Sequence, residues 1–286
     1  MTTNPALIAE WLEPFIAADP VRATLLGTVT SMIEAKPADV APWAASAPGA
    51  VAARSQLGTP VTVLGEWREL DGLAAALLEL RPASLNGPQG LVDALASRMA
   101  VTPRGRIDER LFRLDELIPP AAVAGRARQA TEDDWDLLVD WWAAFAAEAR
   151  DPISQQEVAA AVNRALHSGQ QWLWLDADDM PVSMAAGRAP VCGSARIGPV
   201  YTPPALRGHG FASAVTARAT REVLDSGAIP VLFTDRSNPT SNKIYQQLGY
   251  RPVDDHAFVS FDWASGNSVD VTATARVSGS PGSSRG

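Results

Sequence analysis

From Ile197 to Ser213 the chain reads Ile-Gly-Pro-Val-Tyr-Thr-Pro-Pro-Ala-Leu-Arg-Gly-His-Gly-Phe-Ala-Ser, an apolar strand, a proline-bearing turn and a glycine-spaced helix start in succession. Proline inside a strand places it at an edge or creates a bulge, and a bulge at Gly198-Pro199 would splay the strand from its neighbour. Gly208 and Gly210 free the following turn from the steric limits of a side chain. The first turn of a helix carries unpaired N–H groups and the positive end of the helix dipole. The stretch is therefore built as an anion-binding loop, and a phosphorylated ligand is its expected occupant.

The other elements follow from periodicity. Pro5 to Ala17 carries apolar residues at helical spacing behind Asn4, a good N-cap, and a second helix is expected from Pro20. Between Val40 and Leu64 short apolar runs alternate with Pro and Gly, and Pro60–Leu64 is the clearest strand. Helices over 70–80 and 91–99 flank a short strand over 83–88, and Arg106–Leu114 reads as a terminal strand. The segment 119–125 has two prolines, small residues and no periodicity, which marks it as a linker.

Beyond the linker, Ala127–Ala130 reads as a strand and Thr131 caps a helix whose first turn is acidic. Ser154 and Glu157 form a capping box for the next helix. Strands over 171–176, 181–188 and 195–202 come next, then a helix over 210–226, a strand over 229–234, a helix over 240–248 and one or two strands over 251–263. Residues 264–286 are Ser- and Gly-rich without pattern and are expected to be a disordered tail. At 286 residues the chain suits two α/β domains, assigned to 1–118 and 126–263.

Composition narrows the partners. A net charge of −8 disfavours nucleic acid, which is bound through clustered Lys and Arg. Cys192 is the sole cysteine, so the chain has no internal disulfide and suits a reducing compartment. His167, His209 and His256 lack metal-ligand spacing. With no signal-like N-terminus and no long apolar run, no membrane association is expected and the cytoplasm is the expected location.

Which phosphorylated ligand the loop takes depends on its spacing. A P-loop needs Gly-Lys followed by Ser or Thr, which is absent. A dinucleotide fingerprint needs a third glycine where Ser213 stands and an acid nearer than Asp235. In contrast, Val200-Tyr201-Thr202-Pro203-Pro204-x-x-Arg207-Gly208-x-Gly210-x-Ala212 resembles the acetyl-CoA loop of the GNAT N-acetyltransferase superfamily, with Arg207, Gly210 and Ala212 matching. Downstream, Asn238-Pro239-Thr240-Ser241-Asn242-x-x-Tyr245-x-x-Leu248-Gly249-Tyr250 is similar to that superfamily's second block, in the right order and separation. Ser241 stands where many relatives carry Ala, and His209 where a basic residue is common.

The resemblance covers roughly 125–263 and implies a GNAT fold, a mixed central sheet flanked by helices, and transfer of an acetyl group from acetyl-CoA to a primary amine. It implies that the N–H groups of Gly208, His209, Gly210, Phe211, Ala212 and Ser213 cradle the pyrophosphate, with Arg207 beside them. Val200, Tyr201 and Thr202 would pair with the pantetheine arm, and Asn238 and Ser241 would touch the cofactor. Tyr245 would be the general acid for the departing thiolate. The residues alone leave duller readings open: Arg207 bonding a nearby carboxylate, Tyr245 as a core aromatic, His209 as a solvated side chain. The amine's base stays open between Glu148, Asp235 and a water chain. Trp141, on a different helix face from Trp142, is a candidate wall of the acceptor pocket.

Cys192 has no paired His nearby in sequence, which argues against an acyl-enzyme. The competing reading is a non-catalytic acyl-CoA sensor. The first half ends in strand, Asn86-Gly87-Pro88 turn and helix, a faint echo of the later loop, and is either a degenerate copy of the same fold or an unrelated module walling the acceptor site. It lacks the Arg-x-x-Gly-x-Gly/Ala pattern, so no CoA binding is expected of it.

Overall fold

A computed structural model of the chain describes residues 1–35, 41–149 and 153–263. The expected tail lies outside the described residues. The first half runs α1 (Pro5–Ala18), α2 (Thr24–Ala35), β1 (Trp43–Ala47), β2 (Ala50–Arg54), β3 (Val61–Gly65), α3 (Asp71–Leu80), β4 (Ser84–Pro88), α4 (Gln89–Met99) and β5 (Pro103–Leu114). The second runs β6 (Arg126–Gln129), α5 (Trp135–Ala149), α6 (Gln155–His167), β7 (Gln171–Leu175), β8 (Pro181–Gly187), β9 (Ser194–Tyr201), α7 (Phe211–Asp225), β10 (Ile229–Asp235), α8 (Pro239–Gln247) and β11 (Tyr250–Phe261).

Local chemistry sets most of these boundaries. Asn4 caps α1 and Asn238 caps α8, each accepting a backbone N–H in its first turn. Ser154 and Glu157 form the expected capping box. The second helix starts later than expected because the Asp19 carboxylate accepts the N–H groups of Val21 and Arg22 and holds that segment as a turn. The hairpin β1–β2 is nearly all alanine, a poor strand former. It is a strand pair because both faces are covered: Ala45, Ala50 and Ala52 lie in the core shared with α3 and α4, Ala44, Val51 and Ala53 in the one shared with α1 and α2.

All strands join one mixed sheet in the order β1-β2-β3-β4-β11-β5-β10-β9-β8-β7-β6. The two halves repeat one topology. In each, a helix pair precedes an antiparallel run of three strands (β1-β2-β3, β7-β8-β9), and the third pairs in parallel with the strand after the next helix. Even β6, which precedes α5 and pairs with β7, has a trace in the first half, where Thr2 forms an isolated bridge to Ala44 of β1.

The halves exchange their last strands. β5 leaves the first half and lies between β10 and β11, while β11 leaves the second and pairs with β4. The two 12-residue strands pair antiparallel along their whole length, from Tyr250 opposite Leu114 to Phe261 opposite Pro103. The displacement that carries Pro103 onto Tyr250 also carries Pro88, at the end of β4, onto Asp235 at the end of β10. It carries Glu109 onto His256, and these two are register partners. A pseudo-two-fold axis therefore passes between Glu109 and His256.

The exchange also builds the core. Phe112 of β5 is fully buried in the second half's cluster with Leu232, Val215 and Tyr250. Phe112→Ala should cost about 3–5 kcal/mol in urea unfolding. Residues 126–286 produced alone, lacking the strand between β10 and β11, should give no cooperative melt, and co-production with 1–125 should restore a co-purifying pair. A fragment melting as the full chain does would refute the dependence.

Candidate functional site

Strand alternation sorts the sheet into two faces. Ala195, Ile197, Leu232, Phe112 and Tyr250 point to the face covered by α7 and α8. Val231, Leu111 and Phe233 point to the other, where Val21 of the α1–α2 turn packs, and Tyr201 lies on that face under α5 and α6.

β9 and β10 pair only at their beginnings, Ser194 opposite Ile229 through Arg196 opposite Val231. Beyond Arg196 they part. The cause lies on the other edge of β9, where Val200 pairs with Ala185 but Ile197 with Gly187, so an extra residue is accommodated at Gly198-Pro199. The expected bulge and splay are thus present. The result is a V whose arms are 197–201 and 232–235, with the inner edge of β9 free of a strand partner.

At the open end of this V sits the glycine turn. A short 3-10 turn over Pro204–Leu206 leads into Arg207, and both Gly208 (φ 87°) and Gly210 (φ 82°) take left-handed conformations. That is why glycine is needed at both. Among the described residues, no backbone acceptor takes the N–H groups of Gly208, His209, Gly210, Phe211, Ala212 or Ser213. They are exposed or half-buried at the start of α7. The turn can therefore hold an anion through main-chain donors and the helix dipole.

The side chains around it have settled partners. Arg207 donates through Nε to the Thr202 carbonyl (2.9 Å) and through Nη2 to both carboxylate oxygens of Glu148 (2.7 and 2.8 Å), so its guanidinium fastens the loop to α5. Tyr201 is buried beside Trp141, ring centroids 6.2 Å apart. The Ser183 hydroxyl donates to the Tyr201 carbonyl (3.0 Å) and lies 2.8 Å from the Thr202 hydroxyl, so β8 consumes these groups. Val200 packs into the α7 face. His209 stands against Phe211 at 5.6 Å.

On α8 the Asn238 Oδ1 accepts the Ser241 N–H (3.0 Å), a capping role. Asn242, which sequence reading passed over, donates to the carbonyls of Asp235 and Asn238 and leaves its own Oδ1 buried without a partner. Tyr245 packs on the α7 face with its ring across Tyr250 at 6.2 Å, and burial pushes its pKa up to about 12. Of the two bases considered, Glu148 is held by Arg207, while Asp235 accepts the N–H and hydroxyl of Ser237 (2.7 and 2.6 Å).

The arrangement matches known folds. Solved structures that resemble the chain include a GNAT family acetyltransferase from Colwellia psychrerythraea, at 10% identity, 78% of this chain, 86% of that one and a TM-score of 0.55. Its fold is that of the GNAT acetyltransferases. A Drosophila protein aligns over 91% of this chain and 97% of its own length at 12% identity and TM-score 0.67. A GCN5-related N-acetyltransferase from Sphaerobacter thermophilus aligns over 74% and 79% at 16% identity and TM-score 0.54. Residues 178–259 match the family model described as FR47-like protein, which supports the resemblance read from the two sequence blocks. No curated protein matches the chain.

The first half of this GNAT fold lacks the V. Val61 and Thr62 of β3 pair with Leu85 and Asn86, and one step on Gly87 still lies so close to β3 that an added Cβ would fall 2.2 Å from the Val63 carbonyl oxygen. Its helix start carries Glu66, Glu69 and Asp71 where the second half has glycines. Both features oppose phosphate binding. Among the described residues no acidic, His and Cys group suits a metal ion, and no helix is long and apolar enough to cross a membrane.

Gly210→Ala would strain a φ of 82° and bring its Cβ within 3.1 Å of a Val123 methyl. It should lose roughly 1–2 kcal/mol of stability. Gly90→Ala, in α4 with open space around it, should instead be neutral or stabilising. Equal losses in denaturant titrations of the two variants would count against the loop strain.

Proposed function

We propose that the chain is an N-acetyltransferase that moves the acetyl group of acetyl-CoA directly to a primary amine. The observation that carries this reading is the V opening onto six unpaired N–H groups at a helix start. The residues 1–118 and 126–263 enter the proposal as two units joined by 119–125, with their last strands exchanged and only the second loading the donor.

The fit to the donor rests on main-chain groups. The N–H groups of Gly208, His209, Gly210, Phe211, Ala212 and Ser213 bind the pyrophosphate, and Arg207 acts by holding this loop through Glu148. The inner edge of β9 at Val200, Tyr201 and Thr202 offers the pantetheine arm the main-chain groups that Ser183 and Arg207 leave open, and one N–H there polarises the thioester carbonyl. Asn238 and Ser241 border the site through the start of α8. When bound, acetyl-CoA supplies the activated acyl group.

Tyr245 serves as the acid for the departing thiolate. Its raised pKa keeps the hydroxyl protonated through the neutral range. Deprotonation would begin only as pH approaches about 12, so Tyr245 contributes no rate loss between pH 6 and 10. Cys192 lies on the turn between β8 and β9, and partial desolvation of its sulfur with the nearby Glu34 charge holds its thiol pKa up, which suits a direct rather than a covalent route.

Thiol release from acetyl-CoA with a panel of amines tests the proposal. Turnover with at least one amine is expected; donor binding without turnover by any would leave the acyl-CoA sensor instead. Tyr245→Phe should lower kcat about 10- to 100-fold with acetyl-CoA affinity unchanged. An unaltered rate would remove Tyr245 from the chemistry.

A further inference from the structure

We infer that the acceptor carries a carboxylate beside its amine, and that Arg196, at the vertex of the V, and Glu109, toward its open end, read the two ends of this amino-acid-like molecule. This rests on the acyl-transfer reading of the same site. α7, α8 and Tyr245 occupy one face of the sheet, so the amine must approach from the other. On that face strand alternation places Arg196, Val231, Phe233, Asp235, Leu111, Glu109 and His256.

Arg196 is the last β9 residue in register with β10 before the strands part. Its Nη1 is buried and has no hydrogen-bond partner, and none of the ion pairs among the described residues includes it. The charges that act on it are Arg188, which repels it, and Glu109, which attracts it. Glu109 pairs with Asp235 at the far end of β10, so an attractive charge stands further along the V from Arg196, on the same face.

A buried guanidinium nitrogen with its donors unmet is costly, since its desolvation is not offset by a hydrogen bond. Burial brings its pKa down to about 9, which still leaves it charged at neutral pH. A carboxylate matches it best, because the planar fork donates two parallel bonds to two oxygens. His256, 2% exposed with both ring nitrogens unpaired, lies on the same face with its ring edge-on to Phe233 at 5.0 Å. Arg196 and His256 thus leave polar atoms unmet on one apolar face of the sheet.

With the carboxylate on Arg196, the amine is directed along the V toward Glu109. Glu109 takes one proton of the ammonium group and frees its lone pair; the amine nitrogen then bonds the acyl carbon as the C–S bond breaks, the thiolate takes the Tyr245 proton, and the second proton lost from nitrogen returns through solvent to Tyr245. Both Arg196 and Glu109 lie outside the sequence motifs. Glu109 comes from the exchanged strand of the first half.

Calorimetric titration of the full chain at saturating CoA with N-acetylated amino acids and their carboxamides tests this directly. The acids should bind the wild type at least about tenfold more tightly than the amides. Arg196→Met should erase the difference while leaving CoA affinity and the melting temperature unchanged or raised, since it replaces a side chain whose buried Nη1 has no hydrogen bond with an apolar chain of similar length. Equal binding of acids and amides by the wild type, or discrimination kept in Arg196→Met, would overturn the inference. Should that variant not fold, the wild-type comparison decides alone. Turnover of amines with no preference for a carboxylate would sink the zwitterion and keep the transferase; discrimination in binding without turnover would keep the carboxylate site and sink the transferase.

Discussion

The pairing of β5 with β11 is the contact on which the rest of the molecule depends. It is the longest ladder in the sheet, and each of its strands belongs by sequence to the half that its outer neighbour does not. Removing it would leave β10 with an open edge and the second half's core without Phe112 and Leu114. Ion pairs reinforce it on the α4/α8 face, where Arg110 holds Asp255 at 2.7 Å and Arg236 reaches the same carboxylate at 3.4 Å. These partly exposed pairs set alignment more than stability, which comes from the buried apolar residues between them.

A repeated topology with exchanged strands creates two potential clefts, and physical detail closes one. In the first half β3 and β4 stay in contact at Val63 and Gly87, and three carboxylates crowd the following turn. In the second half the extra residue at Gly198-Pro199 parts β9 from β10, and two glycines shape the turn at its mouth. One half therefore keeps an open cleft while the other lends it a strand. That strand carries Glu109, so under the proposed reading the exchange bears on chemistry as well as on folding.

Much of the site was legible in the chain because its chemistry is local. Gly208 and Gly210 announce left-handed backbone, Asn238 announces a helix start, and Pro199 announces a break in a strand. Each rests on the conformational preferences of a residue and its near neighbours. The elements of the second half fell close to their expected limits for the same reason. The alanine hairpin β1–β2 escaped because alanine carries almost no strand preference, and its conformation is imposed by helices on both sides. Glu148 and Asp235 looked available as bases only because Arg207 and Ser237, which occupy them, could not be placed against them.

The sequence by itself determined the order of elements, the glycine turn and its resemblance to an acetyl-CoA loop, since these depend on spacings of a few residues. Only the tertiary structure decided that the two halves share one sheet, that β5 fills a place in the second half, and that Arg196, Glu109 and His256 meet on one face. Those facts follow from strand register between segments far apart in the chain. Register is chosen by how buried faces fit across the sheet, and no local spacing encodes it.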